Sequence, residues 1–213
     1  MRERWFDSEG PFWTAMGRIA DIVLLNLAAL LISLPLVSIG AVLVALHDTA
    51  RRSLDGAGGS VVRIFLGSLR ANWRQATAAW LIVAPLGGLL TAWWLWLDAP
   101  ELTVLKVVVS VVFVVLFPFW WAVIARFENS LGRNLINTVV VTFAGLPLAL
   151  AVAAIDVALI GLGVAVAVWL PQGLFLLLML GYPLIAFAHT PLLERALRPL
   201  LARAAEAPPG PAP

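Results

Sequence analysis

Cysteine is absent from this 213-residue chain, and charged side chains are scarce. Without cysteine, the chain forms no disulfide, zinc–thiolate site or iron–sulfur cluster. Charged residues make up 12% of the sequence and hydrophobic residues 62%, against about 25% and 45–50% in a typical soluble domain. A soluble protein of this composition would expose long apolar stretches to water, so the composition predicts an integral membrane protein.

Sequence motifs of catalysis and cofactor binding are also missing. The chain has no Walker loop, dinucleotide-binding glycine pattern, zinc-binding histidine helix or nucleophile elbow, so we expect no enzyme, cofactor or metal site. The two histidines, His47 and His189, lie far apart beside predicted helix ends, and we interpret them as bystanders. The net charge is +2, but the basic residues are scattered over loops, which argues against binding of nucleic acid.

Long apolar segments dominate what is present. Five of them reach the length of about 20 residues that a helix needs to cross a bilayer. They are 19–46, 76–97, 105–125, 146–168 and 173–193. The sequence therefore predicts an all-α bundle of five transmembrane helices in one membrane domain, residues 1–203, followed by a disordered Ala- and Pro-rich tail, 204–213.

Lysine and arginine are distributed unevenly between the two sides of this topology. Ten of the 14 basic residues fall in the first loop, the third loop and the C-terminal segment. Basic loops stay in the cytoplasm, so we expect these three parts to be cytoplasmic and the N-terminus to be outside.

An amphipathic segment precedes the second predicted span. From Val62 onward, apolar residues recur at helical spacing, and Arg63, Arg70 and Arg74 form the opposite stripe. This pattern is typical of a helix lying in the headgroup region. Its basic face is either simply solvated or a binding face for anionic lipid or a partner protein.

A four-residue pattern occurs twice, with an offset of 62 residues. The first copy is Ser68, Leu69, Asn72 and Pro85, and the second is Ser130, Leu131, Asn134 and Pro147. We predict a parallel repeat, residues 62–128 and 124–195, in which an interfacial helix precedes a transmembrane hairpin. A second amphipathic helix would then precede the fourth span; chance similarity between apolar segments is the alternative.

Asp156 falls near the middle of the fourth predicted span, where an ionised carboxylate costs about 2.5–3.5 kcal/mol. Ala149, Ala153 and Gly163 share its helical face, and small residues mark a face that packs against other helices, so Asp156 should point inward. Asn26, on a polar stripe of the first span, is its candidate partner. Two roles are open: a proton relay or polar substrate contact, and a hydrogen bond that holds helices together.

Three tryptophans, Trp93, Trp94 and Trp96, crowd the outer end of the second predicted span beside Asp98. Aromatic faces next to a carboxylate are typical of a sugar-binding surface. They are equally typical of the aromatic belt at a membrane interface. Both interpretations are open.

The first spans also carry a family resemblance. Residues 26–40 read NLAALLISLPLVSIG and are followed by Phe65, Arg70, Asn72, Gln75, Ala76 and Trp80. This set resembles the YesL-like integral membrane family of bacteria, most strongly from Arg18 to Ile82. The resemblance implies a small multi-spanning protein of the bacterial cell membrane with no assigned activity, and an accessory role in carbohydrate uptake. It brings no catalytic residues with it.

Two functions follow as hypotheses. The first is a non-enzymatic accessory protein that binds subunits of a sugar ABC-type permease through the arginine face of residues 63–74 and small-residue helix faces. The alternative is a small secondary transporter or channel that uses Asn26 and Asp156. The expected partners are the lipid bilayer, permease subunits and a second copy of the chain.

Overall fold

The computed structural model describes residues 11–56 and 58–206, and every regular element in that part of the chain is helical. Its α-helices are α1 (Pro11–Ser33), α2 (Ile39–Leu54), α3 (Val61–Trp96), α4 (Thr103–Arg126), α5 (Leu131–Ala144), α6 (Leu146–Trp169) and α7 (Leu174–Glu206). Short 3-10 turns, Pro100–Leu102 and Pro171–Gly173, precede α4 and α7. The all-α prediction is thus confirmed. Residues 204–206 of the predicted tail end α7, and the remainder of that tail lies outside the described residues.

Four helices in the described residues are long and apolar enough to cross a membrane. The apolar stretches are Met16–Ser33, Val61–Trp96, Pro100–Arg126 and Leu146–Trp169. Outward side chains of α6, such as Val157, Ile160 and Val164, are more than half exposed, and lipid is the solvent that suits such a surface. The helices are those of a membrane-embedded protein. The fifth predicted span, 173–193, falls in α7, where several side chains lie outside the described set, so the count of five stays a prediction.

The first predicted span, 19–46, is not one helix. α1 ends at Ser33 and α2 begins at Ile39, because Pro35 has no amide hydrogen to continue the ladder and restricts the residue before it. Leu36 adopts a left-handed φ of 50°, and the Ser38 hydroxyl donates to the Ile32 carbonyl. Proline here ends the helix instead of bending it, and the predicted single span is wrong.

Helix α2 lies in the interior of the bundle. Ten of its 16 residues are buried, and it packs closely along α3. A Cβ atom at Gly40 would overlap Trp80 Cβ and the Ala76 carbonyl oxygen. Glycine at this position therefore allows the backbones of α2 and α3 to approach each other at the N-terminal end of α2.

Helix α3 contains both the predicted amphipathic segment and the second predicted span without a break. Phe65 and Leu69 are buried, whereas Arg63, Arg70 and Arg74 are exposed. The buried and exposed faces of this segment are those that the sequence pattern predicts, but a separate helix in the headgroup region stays a prediction.

The second half of the chain is divided differently. The Ser130 hydroxyl accepts a hydrogen bond from the Arg133 amide at the start of α5, and Gly145 separates α5 from α6. The corresponding part of the first half is one continuous helix. The predicted repeat therefore stays a prediction, with a clear local difference between its two copies.

Candidate functional site

Three titratable side chains from three helices meet inside the bundle. Asp156 of α6 lies with its Oδ1 3.1 Å from Nε2 of His189 on α7. The ring of His189 stacks on the ring of His47 from α2, with centroids 6.4 Å apart and an angle of 14° between the planes. His189 is 2% exposed and His47 9%. We call Asp156, His189 and His47 the interior cluster.

Packing between α6 and α7 positions the first two members of the interior cluster. Ala149 and Val152, on the face of α6 that carries Asp156, are fully buried against Ala196 and Leu197 of α7. Small side chains at this interface let the two helices approach closely. The predicted inward face of α6 is thus the one that packs, and Asp156 points into the bundle.

A cavity of about 220 Å³ lies against the interior cluster. The three cluster side chains line it, together with aromatic rings of α3 and α4. The rings belong to Trp80, Phe117 and Trp121. Trp121 contacts both of the others, with centroids 6.0 Å from Trp80 and 5.7 Å from Phe117. The cavity thus combines one carboxylate, two imidazoles and a continuous aromatic surface.

Three buried polar atoms of the residues that line this cavity lack a hydrogen-bond partner in the described part of the chain. They are His47 Nδ1, Trp121 Nε1 and His189 Nε2. The 3.1 Å contact of His189 Nε2 with Asp156 is therefore an electrostatic contact and not a well-aligned hydrogen bond.

A smaller cavity, about 10 Å³, is also lined by His47. It is surrounded by ion-paired residues at the end of the bundle where α2 and α4 terminate. Asp48 Oδ1 lies 2.6 Å from Arg51 Nη2, and Arg126 Nη2 lies 3.1 Å from Glu194 Oε2. We call these four residues the basic end. Because His47 lines both cavities, it connects the interior cluster with the basic end.

Three of these groups lie beyond the ends of the apolar spans and have shifted proton affinities. Burial raises the pKa of Asp48, but hydrogen bonds from Arg52, Arg51 and Ser68 outweigh burial and leave it below its usual value. Burial, with a smaller contribution from His189, lowers the pKa of His47 to about 3, so its imidazole is neutral and holds one donor and one acceptor nitrogen.

Glu194 shifts the other way. Burial raises the pKa of Glu194, and the opposing attraction of Arg126 does not fully offset this. A carboxyl group with a raised pKa exchanges its proton more readily near neutral pH. The basic end thus includes one carboxylate held ionised, Asp48, and one that takes up a proton more easily, Glu194.

The structure shows Asp156 in contact with His189. Asn26 is fully buried in α1, and it is not among the described residues that line the cavity. Both histidines are buried, so neither is a solvated residue, and whether they act in a function stays a prediction. A polar side chain beside an apolar segment was the available signal, but the contact depends on packing between α2, α6 and α7, which the sequence pattern does not specify.

The predicted outer aromatic residues divide into two kinds. Trp94 Nε1 donates to Ser110 Oγ at 2.9 Å, and Lys106 Nζ lies 5.5 Å from the centre of a Trp94 ring. Trp94 therefore packs within the α3–α4 hairpin. Trp96 is 81% exposed, Trp93 is half-buried and Asp98 is exposed, so only part of this set forms an open surface.

Comparison with known proteins gives a partial family match. A family described as "Protein of unknown function, DUF624" matches residues 22–94, about a third of the chain. This region holds most of α1, all of α2 and most of α3, and it includes His47 and Trp80 but neither Asp156 nor His189. No curated protein and no solved structure matches the chain. The chain is thus similar over that region to a family without assigned activity.

Proposed function

We propose that this protein is a small, non-enzymatic secondary transporter that couples movement of a solute to protons. The observation that carries the proposal is the contact between Asp156 and His189 on the wall of a cavity inside the bundle. Ionisable residues within membrane segments are expensive and typically mark proton or substrate pathways. A purely structural pair would be expected in a packed seam, whereas this pair faces open volume.

The interior cluster supplies a site where proton and solute compete. In this proposal Asp156 and His189, whose side chains lie 3.1 Å apart on two helices, are the pair at which a proton is exchanged for the solute. His47 is neutral and able to accept a proton on one nitrogen while releasing one from the other. It thereby links the pair to Glu194 and the rest of the basic end.

Liposomes that contain only this protein and a trapped pH-sensitive dye test the proposal. A panel of sugars, amines, carboxylates and inorganic ions is added outside, and a transported solute should change the internal pH. We expect Asp156→Asn to reduce that rate at least tenfold. Asp98→Asn, which changes an exposed carboxylate, is the matched control and should keep the rate.

Two results contradict this function. One is that no solute in the panel moves protons, with or without an imposed pH gradient. The other is that Asp156→Asn supports proton movement at the original rate while eluting as the same species in gel filtration.

A second function rests on the surface and not on the cavity. Arg63, Arg70 and Arg74 are exposed on α3 beside Trp73, which is 40% exposed. Together with the resemblance to YesL-like proteins, this face supports an accessory role in carbohydrate uptake in which α3 binds a sugar ABC-type permease. Stable co-purification with permease subunits would support it.

Charge reversal separates this accessory role from the transporter. Replacing the three α3 arginines with Glu should abolish co-purification, whereas Arg203→Glu, on an exposed position of α7, should leave it intact. Unchanged co-purification of the α3 variant would exclude this interface.

The orientation that we propose places the basic end in the cytoplasm of a bacterial cell. Arg18 and Asp21 of α1 line one cavity with Ser53, Leu54 and Val61, so the fold favours an N-terminus on the same side as the first loop and not on the outside. Arg51, Arg52 and Arg126 lie at or near the ends of α2 and α4, and basic residues at span ends are retained inside. The absence of native cysteine allows a direct test. In intact cells, an impermeant maleimide should label Ala99→Cys and not Gly58→Cys; the opposite result would reverse the topology.

A further inference from the structure

We infer that the interior cavity binds a small organic cation with an apolar body, such as an aryl or alkyl ammonium ion, in exchange for the proton held by Asp156 and His189. This inference rests on the proposed function. Its basis is that one cavity is lined both by the Asp156 carboxylate and by the rings of Trp80, Phe117 and Trp121.

The aromatic wall suits a cation. The faces of tryptophan and phenylalanine rings attract ammonium groups, and tryptophan does so most strongly. Trp121 is fully buried, and an attraction of this kind grows when the site excludes water. The carboxylate that lines the same cavity then neutralises the charge, while the rings also cover the apolar body of the ligand.

The same walls are unsuited to a sugar. A monosaccharide buries several hydroxyl groups, and each one left without a partner lowers affinity about tenfold. The polar side chains on the cavity wall are the three members of the interior cluster, and the remaining described residues that line it are apolar or aromatic. Three polar side chains do not satisfy hydroxyls around a whole sugar ring.

The positions of the charged side chains disfavour an anionic ligand. The arginines nearest the site, Arg51 and Arg126, line the smaller cavity and not the larger one. The ionisable carboxylate on the larger cavity, Asp156, would repel an anion. Charge on the cavity wall therefore selects for a positive ligand.

The exchange conserves charge. When one monovalent cation enters, one proton leaves the Asp156–His189 pair, so the site keeps its net charge and no oxidant or covalent step is needed. The titratable and charged groups that face this site or line the smaller cavity come from α2, α4, α6 and α7, whereas α3 contributes Trp80. They are His47, Asp48, Arg51, Arg126, Asp156, His189 and Glu194.

Isothermal titration calorimetry on the full chain in detergent tests this inference with benzyltrimethylammonium as the probe. Glucose and benzoate serve as the neutral and anionic comparisons. We expect the cation alone to bind, with an affinity that falls up to tenfold per pH unit on the acid side because protons compete for the site. Heats measured in two buffers of different ionisation enthalpy should reveal proton release on binding.

Matched variants locate the binding site. Asp156→Asn should weaken cation binding at least tenfold, and Trp121→Leu about tenfold. The controls Asp98→Asn and Trp96→Leu change exposed residues outside the cavity and should bind as the unmodified chain does. His189→Gln provides a second test if Asp156→Asn does not fold: it should keep cation binding but lose the linked proton release.

The outcomes separate this inference from the transporter proposal. If the cation fails to bind, or binds Asp156→Asn equally well, the inference is wrong. If glucose or benzoate instead moves protons in an Asp156-dependent manner, the inference is wrong and the transporter stands. If the cation binds and releases a proton but no flux occurs in liposomes, the ligand class stands and the transporter falls.

Discussion

Lys106 and Asp156 are both charged residues in apolar helices, but their surroundings differ. Lys106 is 5% exposed, donates to the Leu97 carbonyl and lies 5.5 Å from the centre of a Trp94 ring, so its neighbours all belong to the α3–α4 hairpin. Asp156 meets His189 of another helix and faces a cavity. The contacts of Lys106 stabilise its own hairpin, whereas the contact of Asp156 joins two distant helices beside a cavity.

The largest effect that we expect concerns the contact between Asp156 and His189. His189→Leu should reduce solute-driven proton movement about 100-fold, because the pair loses its titratable partner. The thermal midpoint in detergent should change little, since leucine fills similar volume. The measurement is the pH change that the dye reports in liposomes. A rate within threefold of the original would show that the Asp156 site, like the Lys106 site, has no role in transport.

We expect the second-largest effect from Gly40→Ala. This substitution should affect the interior cluster and not the contacts of Lys106. The new methyl group overlaps Trp80 Cβ and the Ala76 carbonyl, and such overpacking costs about 1–3 kcal/mol. Displacing α2 from α3 should also weaken ligand binding at the interior cluster. Equal stability by thermal unfolding, with Gly132→Ala on open space as the control, would contradict the close approach.

Lys106→Met should lower stability and leave transport unchanged, which is the reverse of what we expect for His189→Leu. Loss of its charged hydrogen bond and its contact with Trp94 should destabilise the protein by about 2 kcal/mol, while proton-coupled flux of the folded fraction stays unchanged. Thermal unfolding and flux are measured on the same preparation. A loss of flux without a loss of stability would place Lys106 in the transport pathway and remove the distinction.

The smallest effect is confined to acid pH. The folded-state pKa of Asp48 lies below its usual value of 3.8 because of its hydrogen bonds with the arginines and Ser68. Its ionisation therefore contributes stability that is present above the unfolded pKa and is lost as the pH falls through the lower, folded one. The thermal midpoint of Asp48→Asn should decline less between pH 5 and the acid limit than that of the unmodified chain. Parallel declines would show that the ion pairs at the basic end contribute no such stability.

Local patterns in the sequence were sufficient for much of the fold. Scarce charge and long apolar runs predicted an all-helical membrane protein, and small residues around Asp156 predicted its inward direction. The break at residues 34–38 was missed, because a proline within an apolar run either bends or ends a helix, and the run alone does not distinguish these outcomes.

Most of the candidate site could not be predicted because it depends on contacts between distant segments. Asp156 was identified from its insertion cost alone. His47 and His189 were not, since each is unremarkable in its own segment and acquires significance only when α2 and α7 pack against each other. Trp80 and Trp121 likewise appear as ordinary apolar residues until the cavity between them and the cluster is seen.

His47 lines both cavities, so under the proposed function one imidazole ring would control what passes between them. The ring would keep the solute away from the ion pairs while passing a proton, and the protein would carry protons without leaking solute. Shortening this side chain in His47→Ala would merge the two volumes, and the expected result is a passive leak of protons in the absence of any solute.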